Sequence, residues 1–211
     1  MTGPGGPIWL VRHGSTEWTG TRWCGRSDPE LTTEGRSAVE RLASDLSVEL
    51  ATATDAEPTA EVAILASPLR RALETADAIA RVTGGRVRVE PDLVEVDFGR
   101  VDGLTWPEIV DQYRDLSARI LAGKDVDWPA GETAGAVARR AQTLAARIVG
   151  LAATVPLVVV GHGRLLGEIA RHLPLVEPAW DRAFEPATAR RLDLVDGRWV
   201  ATRRPAPVPA E

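Results

Sequence analysis

The chain has 211 residues and contains few or none of the features that mark several common protein classes. Cys24 is its single cysteine, so no disulfide can form within the chain, and a reducing compartment such as the cytoplasm is expected. No apolar run approaches the roughly 18 residues that span a bilayer. Residues 1–7 have neither the basic nor the apolar region of a signal peptide. We therefore expect no membrane association.

Positive charge is also limited. The net charge is −5 at pH 7 and the isoelectric point is about 5.4, whereas a nucleic-acid surface needs concentrated positive charge. The sequence has no second cysteine, no His-x-x-x-His pair and no Asp-rich calcium loop, so we predict neither a metal nor another cofactor. Because there are only three histidines, the position of each one is informative.

The remaining composition is that of a globular protein. Hydrophobic residues make up 44% and charged residues 26% of the chain, enough for a full core. A length of 211 residues suits one domain, and no linker-like break or internal repeat divides it. Residues 1–6 and 203–211 are rich in glycine or proline, and we expect them to be disordered tails of a single domain spanning 1–211.

Strand-like and helix-like segments alternate along the sequence. Helical spacing or capping signals predict a helix from near Thr32, a second after the Ser67-Pro68 start signal and a third at 133–152. We also expect helices at 105–122 and from Gly163 to about His172, and a hairpin at 190–200 that turns at Asp196-Gly197. Apolar runs predict strands at 8–11, 62–66 and 156–160, and we expect a further strand at 86–90. The alternation predicts an α/β fold, a three-layer αβα sandwich with a mostly parallel central sheet.

His13 and His162 occupy matching positions, each directly after a predicted buried strand and before a glycine. Ligands of open α/β sheets bind at that edge. A neutral imidazole is a competent nucleophile toward a phosphoryl group, and Arg12 beside His13 offers a planar fork of donors to phosphate oxygens. His162 begins a predicted helix, where free N–H groups favour an anion. Gly14 and Gly163, which follow the two histidines, are assigned with them to the predicted site.

Each of these residues also has a plain structural interpretation. A single Arg-His-Gly tripeptide is more often a histidine that hydrogen-bonds at a strand end, and the second histidine in the same context is what favours chemistry. Arg70 and Arg71, at the start of the second predicted helix, can either pair with Glu74 or hold a phosphate together with Arg12. The spacing does not choose between these alternatives.

The loop after the third predicted strand contains two candidate acids, Glu95 and Asp97. A carboxyl group close to a dianionic phosphate has its pKa raised by repulsion, so it can stay protonated and act as a general acid. An acidic surface loop is the alternative, and the residues alone leave it open.

Taken in order, these segments resemble the histidine phosphatase superfamily, the phosphoglycerate mutase-like proteins. The resemblance rests on residues 10–14, 25–35, 67–76, 93–103, 129–133 and 160–163. It implies the three-layer fold and a metal-free transfer through a phosphohistidine at His13. It also implies that Arg12, Arg71 and His162 hold the phosphoryl oxygens, and that Glu95 rather than Asp97 protonates the leaving group.

Two departures from the family pattern bear on the activity. Thr19 stands where the family commonly has asparagine, so we expect a modified phosphate pocket, assisted by Arg22. Trp106 stands where the mutases have a lysine, and the segment between Glu95 and His162 is shorter than theirs. These differences favour a hydrolase of a small phosphomonoester whose nonpolar body meets Trp106 or Trp128.

Two other activities stay open at this point. One is a cofactor-dependent phosphoglycerate mutase, and the other is a catalytically idle module that binds a phosphorylated ligand. The predicted hairpin at 190–200 would supply a sheet edge for a homodimer.

Overall fold

Strands and helices alternate along most of the chain, as predicted. The computed structural model describes residues 6–53, 62–176 and 184–202. In chain order the elements are β1 (Ile8–Arg12), α1 (Thr33–Ala53), β2 (Ala63–Ala66), α2 (Arg70–Thr83), β3 (Arg86–Val89), one-turn 3₁₀ helices at Pro91–Leu93 and Gly99–Val101, α3 (Trp106–Gln112), α4 (Arg114–Leu121), α5 (Ala134–Ala152), β4 (Leu157–Gly161), α6 (Gly163–His172), β5 (Ala189–Val195) and β6 (Arg198–Thr202).

The strands of the described residues form one mixed sheet in the order β3-β2-β4-β1-β5-β6. The first four strands run parallel, whereas β5 runs antiparallel to β1 and β6 antiparallel to β5. Arg12 at the end of β1 pairs in register with Gly161 at the end of β4. This register places the two residues that follow, His13 and His162, side by side at the carboxyl edge of the sheet.

Both faces of the sheet are covered, which confirms the αβα sandwich. In β1, Trp9 and Val11 point to the cluster that includes the apolar faces of α1 and α2. Ile8 and Leu10 point to the opposite cluster, which includes those of α5 and α6. Successive side chains of a strand alternate between faces, so a strand buried on both sides is apolar throughout.

The first helix begins as the sequence predicts, and the second does not. Thr32 Oγ1 accepts the N–H of Gly35 at 2.9 Å and caps α1. In contrast, α2 begins at Arg70 rather than at Pro68, after an N-cap residue, Leu69, without a side-chain cap. The Ser67 hydroxyl lies instead 2.7 Å from Nε2 of His162, because a buried imidazole nitrogen requires a polar partner.

Other boundaries differ from the prediction by small amounts. The helical segment at 105–122 is two helices, because the backbone at Tyr113 leaves helical geometry with φ −135° and ψ 57°. The predicted hairpin is confirmed: Asp196 and Gly197 both have positive φ, as its two-residue turn requires. Gly6, expected in a disordered tail, donates its N–H to the Ala152 carbonyl at 2.7 Å. The rest of both predicted tails, 1–5 and 203–211, lies outside the described residues.

Among the helices that the structure describes, none combines the length and the apolar character needed to cross a bilayer.

Candidate active site

His13 directly follows β1 and is buried, with 6% of its surface exposed. Its backbone N–H donates to the Gly161 carbonyl at 3.1 Å, which fixes it to the end of β4. Its Nδ1 lies 2.6 Å from the carbonyl oxygen of Gly14. Because a carbonyl oxygen only accepts, Nδ1 carries the hydrogen and Nε2 carries the lone pair. Nε2 is therefore the nitrogen available for nucleophilic attack.

The Arg71 side chain is fully buried and faces this nitrogen. Its Nε lies 3.2 Å from His13 Nε2. The rest of the guanidinium donates to the carbonyls of Gly25 and Ser27 at 2.9 and 2.7 Å and to Oδ1 of Asp28 at 3.2 Å. These acceptors come from the loop between β1 and α1, so that loop holds the guanidinium against His13.

Arg70 has a different environment, which separates the two arginines that the sequence left undecided. Its guanidinium pairs with Glu30 at 2.7 Å and is exposed. Of the two alternatives, pairing with Glu74 is not the one found, because Glu74 turns toward α1 and pairs with Arg36 at 3.2 Å. The structure thus places Arg71, and not Arg70, in the predicted site.

The surroundings keep His13 neutral. Burial first, and then the positive charge of Arg71, lower the pKa of His13 to about 3, although the hydrogen bond to the Gly14 carbonyl opposes them. At neutral pH the ring is therefore an unprotonated base with its lone pair on Nε2, the form that nucleophilic catalysis requires.

His162 packs edge-on against His13, with ring centroids 5.0 Å apart and an interplanar angle of 60°. It is 1% exposed, and its Nε2 lies 2.7 Å from Ser67 Oγ. Burial, followed by the neighbouring His13 and Arg71, lowers the pKa of His162 well below its usual value. Its Nδ1 is buried and has no hydrogen-bond partner among the described residues.

Arg12 provides a second guanidinium beside the histidines. Its Nη1 donates to the Phe184 carbonyl at 2.5 Å. Its Nε is buried and unpartnered within the described part of the chain. A Cβ at Gly163 would lie 3.4 Å from three atoms of this guanidinium, so the glycine leaves room for it beside His162. Burial lowers the pKa of Arg12, opposed by the negative charge of Glu95.

Two buried nitrogens, Arg12 Nε and His162 Nδ1, therefore lack partners in the described ranges. A buried polar group left without a hydrogen bond costs about 1–3 kcal/mol. Arg12, Arg71 and His162 come from three distant segments and meet near His13, as the sequence predicts. The oxygens of a tetrahedral anion would supply acceptors for Arg12 Nε and for a hydrogen on His162 Nδ1, beside the positive charge of Arg71.

Glu95 is 5% exposed and hydrogen-bonds to the first turn of α6. Its Oε1 accepts the N–H groups of Val96 and Leu165 at 2.9 and 3.0 Å, and its Oε2 accepts that of Arg164 at 3.1 Å. A carboxylate is favourable at a helix N-terminus because it meets free N–H donors. The chain stretch that these bonds hold follows directly after His162, so Glu95 lies at the same helix start as this histidine.

The carboxylate of Asp97, the alternative acid, contacts Gly99 and Arg26. Its Oδ1 accepts the Gly99 N–H at 2.9 Å, and its Oδ2 lies 3.8 Å from Nε of Arg26 near the surface. This placement agrees with the preference for Glu95.

An ion pair fixes the loop that carries Glu95. Arg140 donates from Nε and Nη2 to Glu132 at 3.0 and 2.7 Å, and from Nη1 to the carbonyls of Asp92 and Val94 at 2.7 and 2.8 Å. Burial raises the pKa of Glu132, but the hydrogen bonds from Arg140 and the Asp97 N–H and the positive charges of Arg140 and Arg26 together lower it overall. The sequence reasoning missed this pair, although Glu132 lies in one of the family-like segments.

Three predicted substrate-binding residues make contacts within the loops. Thr19 Oγ1 accepts the Thr16 N–H at 2.9 Å. Arg22 is exposed and donates to the Gly103 carbonyl at 2.7 Å, while Trp106 stacks on Trp23 with centroids 6.4 Å apart. No contact found among the described residues joins any of the three to His13. Their participation in binding stays a prediction.

The two remaining expectations concern Gly14 and Trp128. Gly14 is required by packing, since a Cβ there would lie 2.7 Å from Cγ2 of Val39. Trp128, expected to meet a substrate from a loop, is only 4% exposed and packs on Phe98 with centroids 4.5 Å apart. The indole belongs to the core cluster, and its contact with a substrate stays a prediction.

Two further site residues were missed at the sequence level. Ser67 contacts His162, as described above. Thr75 is fully buried, accepts the Gly14 N–H at 3.3 Å and donates to the Arg71 carbonyl at 2.8 Å, which ties the two catalytic segments together. Both lie in the segment 67–76, whose family-like pattern is the only sequence signal that could have indicated them.

Across the described residues, no group of three or more histidine, cysteine, aspartate or glutamate side chains is arranged to hold a metal ion.

The geometry agrees with a comparison to known families. The sequence model of the histidine phosphatase superfamily (branch 1) matches residues 8–205. The chain belongs to this superfamily. The membership confirms the resemblance seen in the sequence.

Individual relatives extend this result. A bifunctional protein of Mycobacterium tuberculosis is 34% identical over 154 residues, which cover 72% of this chain and 40% of that protein. The chain thus spans about two fifths of that relative. A protein of Escherichia fergusonii named as a probable phosphoglycerate mutase is 26% identical over 200 residues, 92% of this chain and 88% of its own. The structure of a mycobacterial glucosyl-3-phosphoglycerate phosphatase is similar with a TM-score of 0.73 at 28% identity, covering 93% of this chain and 97% of that one.

Proposed function

We propose that this histidine phosphatase superfamily member hydrolyses a small phosphorylated metabolite, a phosphomonoester, through a phosphohistidine at His13. The observation that carries the proposal is the pairing of a neutral His13, whose Nε2 carries the lone pair, with Arg71, whose Nε–H donates to that lone pair at 3.2 Å and can turn to the phosphoryl group when Nε2 bonds to phosphorus. Negative charge on the transferring group would gather where Arg12, Arg71 and His162 converge.

The chemistry divides into two displacements. In the first, Nε2 of His13 attacks phosphorus, the phosphorus–oxygen bond of the ester breaks, and Glu95 gives its proton to the departing alkoxide. In the second, water attacks the phosphohistidine while Glu95 takes its proton, and the phosphorus–nitrogen bond breaks to release inorganic phosphate and regenerate neutral His13.

The carboxyl group can carry the proton without losing its backbone contacts. Its two oxygens accept three backbone N–H groups. Oε2 accepts only the Arg164 N–H, and a protonated carboxyl oxygen keeps acceptor capacity, so a proton on Oε2 would weaken this one hydrogen bond and leave the two on Oε1 in place. A hydrogen-bonded carboxylate beside the leaving group is thus well placed to receive a proton from water.

Hydrolysis is preferred to mutase activity for a chemical reason. A mutase must hold a second phosphate and keep water out, and in this chain Trp106 replaces the lysine of the phosphoglycerate mutases. Its indole stacks on Trp23, so this part of the chain offers apolar surface rather than a cation. The similarity to a glucosyl-3-phosphoglycerate phosphatase also favours hydrolysis. The relative named as a probable phosphoglycerate mutase is the reason to test mutase activity as well.

The deciding experiment compares two reactions of one preparation. Inorganic phosphate release is measured over a panel of phosphomonoesters, and isomerisation of 3-phosphoglycerate is measured with bisphosphoglycerate present. We expect hydrolysis to dominate, and we expect a rapid alkaline quench, in which the phosphorus–nitrogen bond survives, to trap phosphate on His13. Efficient isomerisation with negligible hydrolysis would identify a mutase. Calorimetric binding of a phosphorylated ligand with no turnover would identify an idle binding module.

Several wider expectations stay predictions. They are a single domain over 1–211, a cytoplasmic location, no nucleic-acid partner, and a homodimer. The homodimer is consistent with the position of β6 (Arg198–Thr202) at the edge of the described sheet.

A further inference from the structure

Residues 67–71 contact both histidines of the site. Arg71 reaches Nε2 of His13 at 3.2 Å, and Ser67 Oγ lies 2.7 Å from Nε2 of His162. Ser67 is fully buried and directly follows β2, and its backbone N–H donates to the Val160 carbonyl of β4 at 3.0 Å. The backbone hydrogen bond to β4 therefore holds residue 67 beside His162, whichever side chain stands at this position.

The direction of the hydrogen bond between Ser67 and His162 follows from the other partner of the hydroxyl. The N–H of Leu69 donates to Ser67 Oγ at 3.4 Å. A backbone N–H only donates, so among the described residues the one acceptor within reach of the hydroxyl proton is Nε2 of His162. In the opposite arrangement the hydroxyl proton would be buried without an acceptor, which is unfavourable.

We infer that Ser67 is a positioning residue that donates its hydroxyl proton to Nε2 of His162 and so fixes the tautomer of this histidine with hydrogen on Nδ1. That nitrogen is the buried one without a partner in the described residues. In this tautomer it presents an N–H beside His13, whose ring centroid is 5.0 Å away. In the other tautomer a lone pair would face the same place and repel a phosphoryl oxygen.

The catalytic meaning of this tautomer rests on the proposed function. Because His162 is neutral, with a pKa well below its usual value, it cannot donate from both nitrogens. The tautomer therefore decides whether His162 offers a hydrogen bond to the transferring phosphoryl group. Ser67 acts through His162 and touches no reacting atom.

The test is nitrogen-15 NMR of the resting protein, in which protonated and unprotonated imidazole nitrogens have distinct shifts. With only three histidines, the signals can be assigned by replacing His13, His162 and His172 in turn. We expect wild-type His162 to carry hydrogen on Nδ1. Hydrogen on Nε2 would overturn the inference, whether or not the protein hydrolyses any ester, so this outcome is separate from failure of the proposed function.

Variants give an independent readout. Ser67→Ala should shift His162 toward a mixture of tautomers and reduce kcat for p-nitrophenyl phosphate about tenfold, the rate equivalent of one hydrogen bond. Ser67→Thr keeps a hydroxyl and should retain the wild-type tautomer. Ser117→Ala is the matched control, because Ser117 is also buried but donates to the Arg114 carbonyl in α4. An unchanged His162 tautomer in Ser67→Ala contradicts the inference, and if that variant fails to fold, the wild-type and Ser67→Thr spectra decide.

Discussion

Nε of Arg71 lies 3.2 Å from Nε2 of His13, so a buried guanidinium faces the nitrogen that would attack phosphorus. Arg71 lies in the first turn of α2, where positive charge is unfavourable by about 0.3–1 kcal/mol. Its bonds to Gly25, Ser27 and Asp28 offset that cost and leave Nε directed at His13. The same group can stabilise the phosphoryl oxygens once the phosphorus–nitrogen bond forms.

Arg71→Lys should lower kcat/KM by about 10²–10³, because an ammonium keeps the charge but loses the planar fork of donors. Steady-state hydrolysis of p-nitrophenyl phosphate measures this. Arg70→Lys is the matched control, since Arg70 precedes Arg71 in the chain but is exposed and pairs with Glu30. Equal losses in the two variants would show that the position in α2, and not the contact with His13, is what matters.

His13→Asn should reduce turnover by at least about 10³-fold, because the nucleophile is lost while residual transition-state binding is kept. The acid-labile phosphate on the quenched protein should vanish with it. His172→Asn serves as control: this residue ends α6 and lies 3.6 Å from Glu168. Full activity in His13→Asn would exclude it as the nucleophile.

The lowered pKa of His13 predicts a loss of stability in acid. Its pKa is about 3 in the folded protein, against 6.5 in the unfolded chain. Below 6.5 only the unfolded chain takes up the proton. The stability that neutral His13 contributes to the fold is thus complete above pH 6.5 and is lost as the pH falls toward 3. At about pH 5 the loss amounts to about 2 kcal/mol for this one histidine.

Urea unfolding at neutral pH and at about pH 5 measures this effect. His13→Asn should lose about 2 kcal/mol less of its free energy of unfolding between the two conditions than the wild type, since asparagine does not titrate. The acidic residues contribute equally to both proteins and cancel in the comparison. Identical losses in the two proteins would contradict a strongly lowered pKa for His13.

The parts of the site that lie at strand ends were predictable from sequence. His13 and His162 each follow an apolar run, and parallel strands end at the same edge, so their proximity follows from the α/β pattern alone. The contact between Arg12 Nη1 and the Phe184 carbonyl has no such signal, because any residue has a carbonyl and 172 positions separate the two. Backbone partners of this kind depend on how distant loops pack.

The errors in the sequence prediction have physical causes too. Ser67 before Pro68 is typical of a helix start, but the buried nitrogen of His162 competes for the hydroxyl. Trp128 lies in a loop, yet its side chain is only 4% exposed and packs on Phe98, because burial stabilises a large apolar surface. In both positions tertiary contacts prevail over the local pattern.

Glu95→Gln should slow the hydrolysis of alkyl phosphates by about 10²-fold or more, and that of p-nitrophenyl phosphate much less, because a good leaving group departs with little protonation. The amide also sets an NH₂ group against backbone N–H donors at the start of α6. We therefore expect a stability loss of about 1–3 kcal/mol in urea unfolding. Asp97→Asn is the control and should leave the ratio of the two rates unchanged. Equal losses on both substrates in Glu95→Gln would indicate a purely structural role.

Arg140→Ala should produce a weaker form of the same selectivity. The Arg140–Glu132 pair is mostly buried, with side-chain exposures of 14% and 16%, so its removal should destabilise the fold by about 3 kcal/mol. It also frees the carbonyls of Asp92 and Val94, which precede Glu95. Misplacing the acid by a fraction of an ångström should lower the rate on alkyl phosphates about tenfold, with less effect on p-nitrophenyl phosphate.

The neighbouring Arg139 is exposed and supplies the matched control for this last prediction. Arg139→Ala removes the same charge from the same helix, so general electrostatics would affect both variants alike. Selective loss on alkyl phosphates in Arg140→Ala alone, measured at a temperature where both variants are fully folded, would support a positioning role for the pair. A loss of stability with an unchanged ratio of rates would restrict Arg140 to holding the fold, because a correctly placed Glu95 would still protonate poor leaving groups.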